Sequence, residues 1–110
     1  MRVMIVDDSK EMVRLIEKLV EKHGDTVVKK AHTCKETIEL AREVDFDILI
    51  IDQRLPDGNG YDTALKIAEM KNIHVAIITS DDDFTCEDFP VLRKPFSREE
   101  LYNILDSYQK

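Results

Sequence analysis

The chain has 110 residues, with 16 Lys and Arg against 23 Asp and Glu, and a formal net charge of -7. Its length predicts a single domain over residues 1–110, and 43% hydrophobic residues are enough for a buried core, which excludes a disordered acidic tail. The negative charge argues against binding to nucleic acid or to an anionic membrane through bulk charge.

The first half of the chain alternates short apolar runs with amphipathic stretches. Val3–Val6 is typical of a buried strand, and apolar residues then recur at helical spacing. A weaker strand at Val27-Val28 precedes Thr33–Glu36, a capping box that predicts the start of a second helix. The run Phe46–Ile51 predicts the strongest strand, because it is nearly continuous and β-branched, as in a sheet covered on both faces.

The second half repeats the alternation. Residues 59–71 predict a third helix, Val75–Ile78 a fourth strand and Val91-Leu92 a short last strand. Ser97–Glu100 is a second capping box, and it opens the closing helix. Strands that alternate with helices predict an α/β fold with a five-stranded parallel sheet of the doubly wound, flavodoxin-like type.

The connection between the last two predicted strands is short. Only ten residues, Ser80–Phe89, lie between the fourth strand and Pro90, and they carry no helical apolar stripe. A parallel crossover takes about a dozen residues or more, so the fourth helix is predicted to be missing or reduced to a turn. We expect Phe84 and Phe89 to fold back over the thinly covered sheet face. Left uncovered, the 80–90 region would favour a partner or self-association.

Polar residues follow the predicted strands at the points where they end. Asp7-Asp8 follow the first strand, Asp52 the third, Thr79 the fourth and Lys94 the last. The carboxyl ends of parallel strands form the ligand crevice of such sheets. Unpaired carboxylates there would repel one another, and a hard cation such as Mg²⁺ would remove that cost. The sequence therefore predicts a site for Mg²⁺ and a phosphoryl group, with Lys94 as an additional positive charge.

These landmarks resemble those of the response-regulator receiver domain of two-component signalling. The resemblance covers the whole chain, and its landmarks occur in the same order at strand ends. The matching segments are Val6-Asp7-Asp8, Asp52, Leu55-Pro56-Asp57-Gly58-Asn59-Gly60, Thr79-Ser80 and Lys94-Pro95-Phe96.

The resemblance implies how a phosphoryl group would be accepted. Asp52 would be the phosphoacceptor and would form an acyl phosphate. Thr79 would bond the new phosphoryl oxygens and Lys94 would pair with them, and the Lys94-Pro95 peptide bond is expected to be cis.

The resemblance also implies the metal ligands. Mg²⁺ would be held by Asp7 or Asp8 together with Asp52 and the main-chain carbonyl of Arg54. Asp8 is favoured as the direct ligand, with Asp7 acting through water.

The chain departs from the family pattern near its last strand. The aromatic residue that the family carries three residues before the lysine is Val91 here, which cannot swing between buried and exposed positions. We therefore expect a signal to run through rearrangement of the 80–90 loop. Arg54 and Asp81 should flank the mouth of the site, where opposite charges would form a partial lid over a phosphoryl group.

The first functional hypothesis is a phosphorylation-switched receiver that takes its phosphoryl group from a histidine kinase or a histidine phosphotransfer protein. It would act as a stand-alone phosphoprotein on a downstream protein target, without turnover of an external substrate. The alternative is a protein-interaction module on the same fold that works without phosphorylation. A hydrolase with an aspartate nucleophile is set aside, since its second acid would stand where this chain has Arg54.

The sequence also predicts where the protein works. No apolar run approaches the about 20 residues of a membrane span, and the first strand meets Asp7-Asp8 too early for a signal peptide. Two cysteines are too few for a disulfide framework. These observations predict a cytoplasmic location.

Overall fold

A computed structural model describes residues 1–109 of the protein. The elements in chain order are β1 (Arg2–Val6), α1 (Lys10–His23), β2 (Thr26–Ala31), α2 (Cys34–Glu43), β3 (Ile48–Asp52), β4 (Arg54–Leu55), β5 (Gly58–Asn59), α3 (Gly60–Met70), β6 (His74–Thr79), β7 (Val91–Arg93) and α4 (Arg98–Tyr108). Five strands form one parallel sheet in the order β2-β1-β3-β6-β7, and β4 and β5 form a separate antiparallel hairpin. The predicted doubly wound sheet is confirmed.

Two layers of helices cover the sheet, because successive strand residues point to opposite faces. One core cluster joins apolar residues of α1 and α4 to one face, and a second joins those of α2 and α3 to the other. All five residues of β3 are buried, which explains the nearly continuous apolar run predicted as the strongest strand. Within residues 1–109, no helix is long and apolar enough to cross a membrane.

The N-terminus of α2 is capped from two places. The Thr33 hydroxyl accepts a hydrogen bond from the Glu36 N–H at 3.1 Å, as predicted, whereas the Glu36 carboxylate accepts from the His32 N–H at 3.2 Å, one residue earlier than a capping box requires. Asp57 of the β4–β5 connection accepts from the Cys34 N–H at 2.7 Å. Backbone N–H groups at the start of α2 hold the pKa of Asp57 below its usual value. The segment that follows β3 is thereby tied to α2.

Residues 80–90 connect β6 to β7 without a helix, as predicted. Phe84 and Phe89 pack against the core cluster beneath α2 and α3, and their rings lie 5.8 and 6.2 Å from the ring of Tyr61. The Tyr61 phenol donates to the Asp88 carboxylate, and this bond raises the pKa of Tyr61 to about 12. Both aromatic side chains therefore fold back and are half-buried against this sheet face, as expected.

A histidine joins the end of α1 to α4. His23 bonds the Asp25 carboxylate at 2.6 Å and the Asp106 carboxylate at 2.7 Å, and the amino-terminal ammonium faces Asp25 at 2.6 Å. Burial disfavours the charged ring, but the bonds to the two carboxylates outweigh it and raise the pKa of His23 above 6.5. When protonated, the ring donates from both nitrogens and links the end of α1 to α4.

Stability is therefore expected to depend on pH through His23. Because the folded pKa lies above the unfolded pKa, the stabilising contribution is complete below about pH 6.5 and is lost as pH rises through the folded pKa. By urea unfolding, we expect the free energy of unfolding of His23→Gln to be about 1 kcal/mol lower than that of the wild type at pH 6, and this difference should shrink by pH 9. His74→Gln serves as the control, because the His74 ring stacks on the ring of Tyr108 and is not held between two carboxylates as the His23 ring is. A difference for His23→Gln that does not change with pH would contradict this account.

Candidate functional site

Four strands deliver polar side chains to one edge of the sheet. Asp7 follows β1, Asp52 ends β3, Thr79 ends β6 and Lys94 follows β7. The Lys94 N–H donates to the Thr79 carbonyl at 2.8 Å, which continues the pairing of β6 with β7 to the position of the lysine. The predicted cis bond between Lys94 and Pro95 is present. The structure thus brings the predicted strand-end residues to the same edge.

The Lys94 ammonium lies between two carboxylates. Its Nζ donates to Asp52 Oδ2 at 2.8 Å and to Asp7 Oδ2 at 3.0 Å, and the lysine side chain is only 20% exposed. Burial alone would lower the pKa of Lys94, but the bonds to Asp52 and Asp7 outweigh it, so that the pKa is raised. The lysine remains charged and neutralises part of the acidic pocket.

Three carboxylates share this pocket. Asp7, Asp8 and Asp52 each offer an oxygen, and these oxygens lie within 4.8 Å of one another. Asp7 is fully buried and Asp8 is exposed. Burial raises the pKa of Asp7, against the opposing hydrogen bonds from the Ser9 N–H at 2.9 Å and from Lys94. A cluster of hard oxygen donors open to solvent on one side suits Mg²⁺, which keeps several waters when bound.

The backbone after β3 orients Asp52. The Arg54 N–H donates to Asp52 Oδ1 at 3.1 Å, so the two carboxylate oxygens have different partners, the backbone on one side and Lys94 on the other. The role of the main-chain carbonyl of Arg54 as a metal ligand, which the family resemblance implies, stays a prediction.

The Thr79 hydroxyl is engaged by a residue that the sequence reasoning missed. It donates to Gln53 Oε1 at 2.7 Å and accepts from the Asp81 N–H at 3.0 Å. The strand register pairs Asp52 with Ile78, which places the next residue of each strand side by side. The sequence shows a polar residue, Gln53, directly after Asp52. Its contact with Thr79 could be predicted from that only if the pairing of Asp52 with Ile78 were known.

An ion pair lies at the mouth of the pocket, as predicted. The Arg54 guanidinium bonds the Asp81 carboxylate at 3.1 Å, with the arginine side chain 75% exposed, so the pair contributes little to stability. Arg93 donates to the Asp81 carbonyl at 2.8 Å and to the Phe84 carbonyl at 2.5 Å. The start of the 80–90 loop is thus held by two arginines.

A doubly wound sheet with an acidic, lysine-bearing pocket at its carboxyl edge is the architecture of a receiver-type signalling domain. The family model for the response regulator receiver domain matches residues 3–106, and the chain belongs to this family. The receiver domain that defines this family is a signalling module.

Sequence and structure relatives agree with this membership. Protein PilH of Pseudomonas aeruginosa is 33% identical over 87 residues, which are 76% of this chain and 71% of PilH. The transcriptional regulatory protein CpxR of Escherichia coli K12 is 27% identical over 109 residues, 91% of this chain and 45% of CpxR. The solution structure of the receiver domain of Erythrobacter litoralis PhyR superimposes with a TM-score of 0.89 at 19% identity, covering 98% of this chain and 88% of that one. This last likeness shows the fold.

Several curated relatives are much longer than the matched region. The chain spans 24% of a Methanospirillum hungatei protein-glutamate methylesterase/protein-glutamine glutaminase and 48% of the Enterococcus faecalis sensory transduction protein LytT. The similarity therefore covers only part of those proteins.

Proposed function

We propose that residues 1–110 form a single receiver domain that accepts a phosphoryl group on Asp52 and thereby changes its binding to a protein partner. The observation that carries the proposal is the Lys94 ammonium, 2.8 Å from Asp52 and 3.0 Å from Asp7 in a pocket of three carboxylates. The donor class is a histidine kinase or a histidine phosphotransfer protein, and the target is a downstream protein. The location that we propose is the cytoplasm.

The chemistry follows from the positions of these side chains. An oxygen of Asp52 attacks the phosphorus of the donor and forms the acyl phosphate, while the bond from phosphorus to the donor nitrogen breaks and its electron pair leaves with that nitrogen. Transfer of this kind depends on positioning and charge neutralisation more than on covalent help. Lys94 supplies a fixed positive charge beside the attacking oxygen. A Mg²⁺ ion held by Asp7, Asp8, Asp52 and the Arg54 carbonyl would neutralise phosphoryl oxygens when bound.

The direct test uses a small phosphodonor, so that no cognate kinase is needed. Incubated with acetyl phosphate and Mg²⁺, the wild-type protein should gain the mass of one phosphoryl group by intact mass spectrometry. Asp52→Asn keeps the shape of the side chain but removes the nucleophilic oxygen, and it should gain nothing. No gain in the wild type would favour the interaction module that works without phosphorylation. An equal gain in both proteins would place the acceptor elsewhere.

The structure also supports a route for the signal. Val91 is half-buried against the core cluster, and the 80–90 loop contacts Thr79 through the Asp81 N–H at 3.0 Å. A phosphoryl group that recruits the Thr79 hydroxyl would disturb this contact at the start of the loop. We propose that the loop, rather than a switching aromatic side chain, carries the change to the surface and that the Arg54–Asp81 pair forms a partial lid.

Amide hydrogen exchange tests this route. With Mg²⁺ and beryllofluoride as a phosphoryl mimic, we expect the protection of amides in the 80–90 loop to change by about tenfold. The hydrogen bonds that fix the loop can break and re-form locally, without global unfolding of the domain. The amides of β2, at the opposite edge of the sheet, provide an internal control. Identical exchange of the loop with and without the mimic would contradict the route.

A further inference from the structure

The side-chain amide oxygen of Gln53 accepts the hydrogen bond from the Thr79 hydroxyl, the group that would bond the phosphoryl oxygens of an acyl phosphate. We propose that Gln53 is a positioning residue that restrains the Thr79 hydroxyl in the unphosphorylated protein and so sets how readily the domain adopts its phosphorylated conformation. This inference rests on the proposed function of Asp52 and goes further by naming a residue that opposes the switch.

The position of Gln53 is fixed by its backbone. Its N–H donates to the Ile78 carbonyl at 2.7 Å and its carbonyl accepts from the Gly60 N–H at 2.7 Å, so β6 and the start of α3 hold it from both sides. Gln53 is 8% exposed and Thr79 is 1% exposed. The bond between their side chains at 2.7 Å therefore lies in a packed, largely dry region. Low exposure and fixed backbones leave the amide oxygen little room to turn away.

The Thr79 hydroxyl can donate either to Gln53 or to a phosphoryl oxygen, but not to both. A threonine hydroxyl has one proton to donate. That proton is directed at Gln53 Oε1, and an oxygen lone pair accepts from the Asp81 N–H at 3.0 Å. The hydroxyl cannot donate to a phosphoryl oxygen while it donates to Gln53. A phosphoryl group on Asp52 must therefore compete with Gln53 for the same proton.

The competition has a measurable size. When the hydroxyl turns to a phosphoryl oxygen, the buried amide oxygen of Gln53 loses its partner, and a buried acceptor without a partner disfavours that state by about 5- to 150-fold. A phosphoryl oxygen is charged and is therefore a stronger acceptor than the amide oxygen, so it takes the Thr79 proton. The loss at Gln53 nevertheless weakens the binding of the phosphoryl group by the site. Removing the amide oxygen should thus favour the phosphorylated conformation.

A double-mutant cycle tests this coupling. Gln53→Met keeps the length and volume of the side chain without its amide oxygen. In the presence of Mg²⁺, it should bind beryllofluoride at least about fivefold more tightly than the wild type in a heteronuclear NMR titration. In a Thr79→Val background, Gln53→Met should change the affinity by less than about twofold, since no hydroxyl remains to be released. Equal affinity of Gln53→Met and wild type, or the same gain in both backgrounds, would overturn the proposal.

A measurement on the wild type guards against a variant that fails to fold. The side-chain amide resonances of Gln53 should move when beryllofluoride binds, because its oxygen loses the hydroxyl proton of Thr79. Resonances that stay in place while the mimic binds would overturn the role of Gln53 alone. A wild type that binds no mimic in the presence of Mg²⁺ would instead overturn the proposed function of Asp52, and this inference with it.

Discussion

Replacing Gly60 by alanine is expected to lower the free energy of unfolding by about 3 kcal/mol and to abolish phosphorylation of Asp52. A Cβ at this position would lie 1.8 Å from the main-chain oxygen of Asp52 and 2.9 Å from its carbonyl carbon. Backbone atoms at the end of a central strand cannot move aside as a flexible side chain can. The first turn of α3 must therefore withdraw from β3 and displace the phosphoacceptor. Urea unfolding and intact mass after incubation with acetyl phosphate measure the two effects.

Gly24→Ala is the matched control. Gly24 ends α1 with a φ of +100°, but a Cβ there would have no heavy atom within 4 Å. Its substitution is expected to cost about 1–2 kcal/mol, from the left-handed backbone alone, and to leave phosphorylation intact. Equal losses of stability in the two variants, or normal phosphorylation of Gly60→Ala, would show that the close approach at Gly60 does not constrain the site.

This close approach illustrates what the sequence could and could not reveal. The glycines after Asp57 indicate a turn before the third helix, since such residues punctuate loops. That one of them lies against the backbone of Asp52 depends on how α3 packs on β3, which is a tertiary fact. The alternation of apolar runs and helical stretches, by contrast, is local. It predicted the five strands, the strand-end positions of Asp52 and Lys94, and the complete capping box at Ser97.

The connection between β6 and β7 shows an intermediate case. Its short length and its lack of a helical apolar stripe predicted the missing helix, because chain length limits what a parallel crossover can contain. The covering of this sheet face by Phe84 and Phe89 was expected, but their aromatic partner Tyr61 lies on α3, far away in the sequence, and was not.

The hydrogen bonds of the site were the least accessible from the sequence. Gln53 meets Thr79 only because the register pairs Asp52 with Ile78, and Asp57 caps α2 only because the hairpin lies beside it. Periodicity identifies the face on which a side chain lies but says nothing of the register between strands. The residue types needed at the site were therefore predictable, while the partners that hold Thr79 in its present orientation were not.

The charge balance of the pocket depends on one lysine. Lys94 is the cation that bonds both Asp7 and Asp52, and the Asp7 side chain has no exposed surface at all. Removing one partner of a buried ion pair leaves the remaining charge uncompensated, which costs about 3–5 kcal/mol in fully buried sites. The pocket is open on the side of Asp8, so that the cost here is smaller.

Lys94→Met is accordingly expected to lower the free energy of unfolding at pH 7 by about 2–3 kcal/mol without Mg²⁺. Millimolar Mg²⁺ should restore a larger part of the stability in this variant than it adds to the wild type, because the ion then offsets repulsion that the lysine no longer offsets. Urea unfolding with and without Mg²⁺ measures both effects. Lys30→Met is the control, since Lys30 pairs with Glu17 at 3.3 Å on the surface. This substitution should lower the free energy of unfolding by less than about 1 kcal/mol, with or without Mg²⁺. If Lys94→Met behaved like Lys30→Met, the lysine would not be what holds the three carboxylates together.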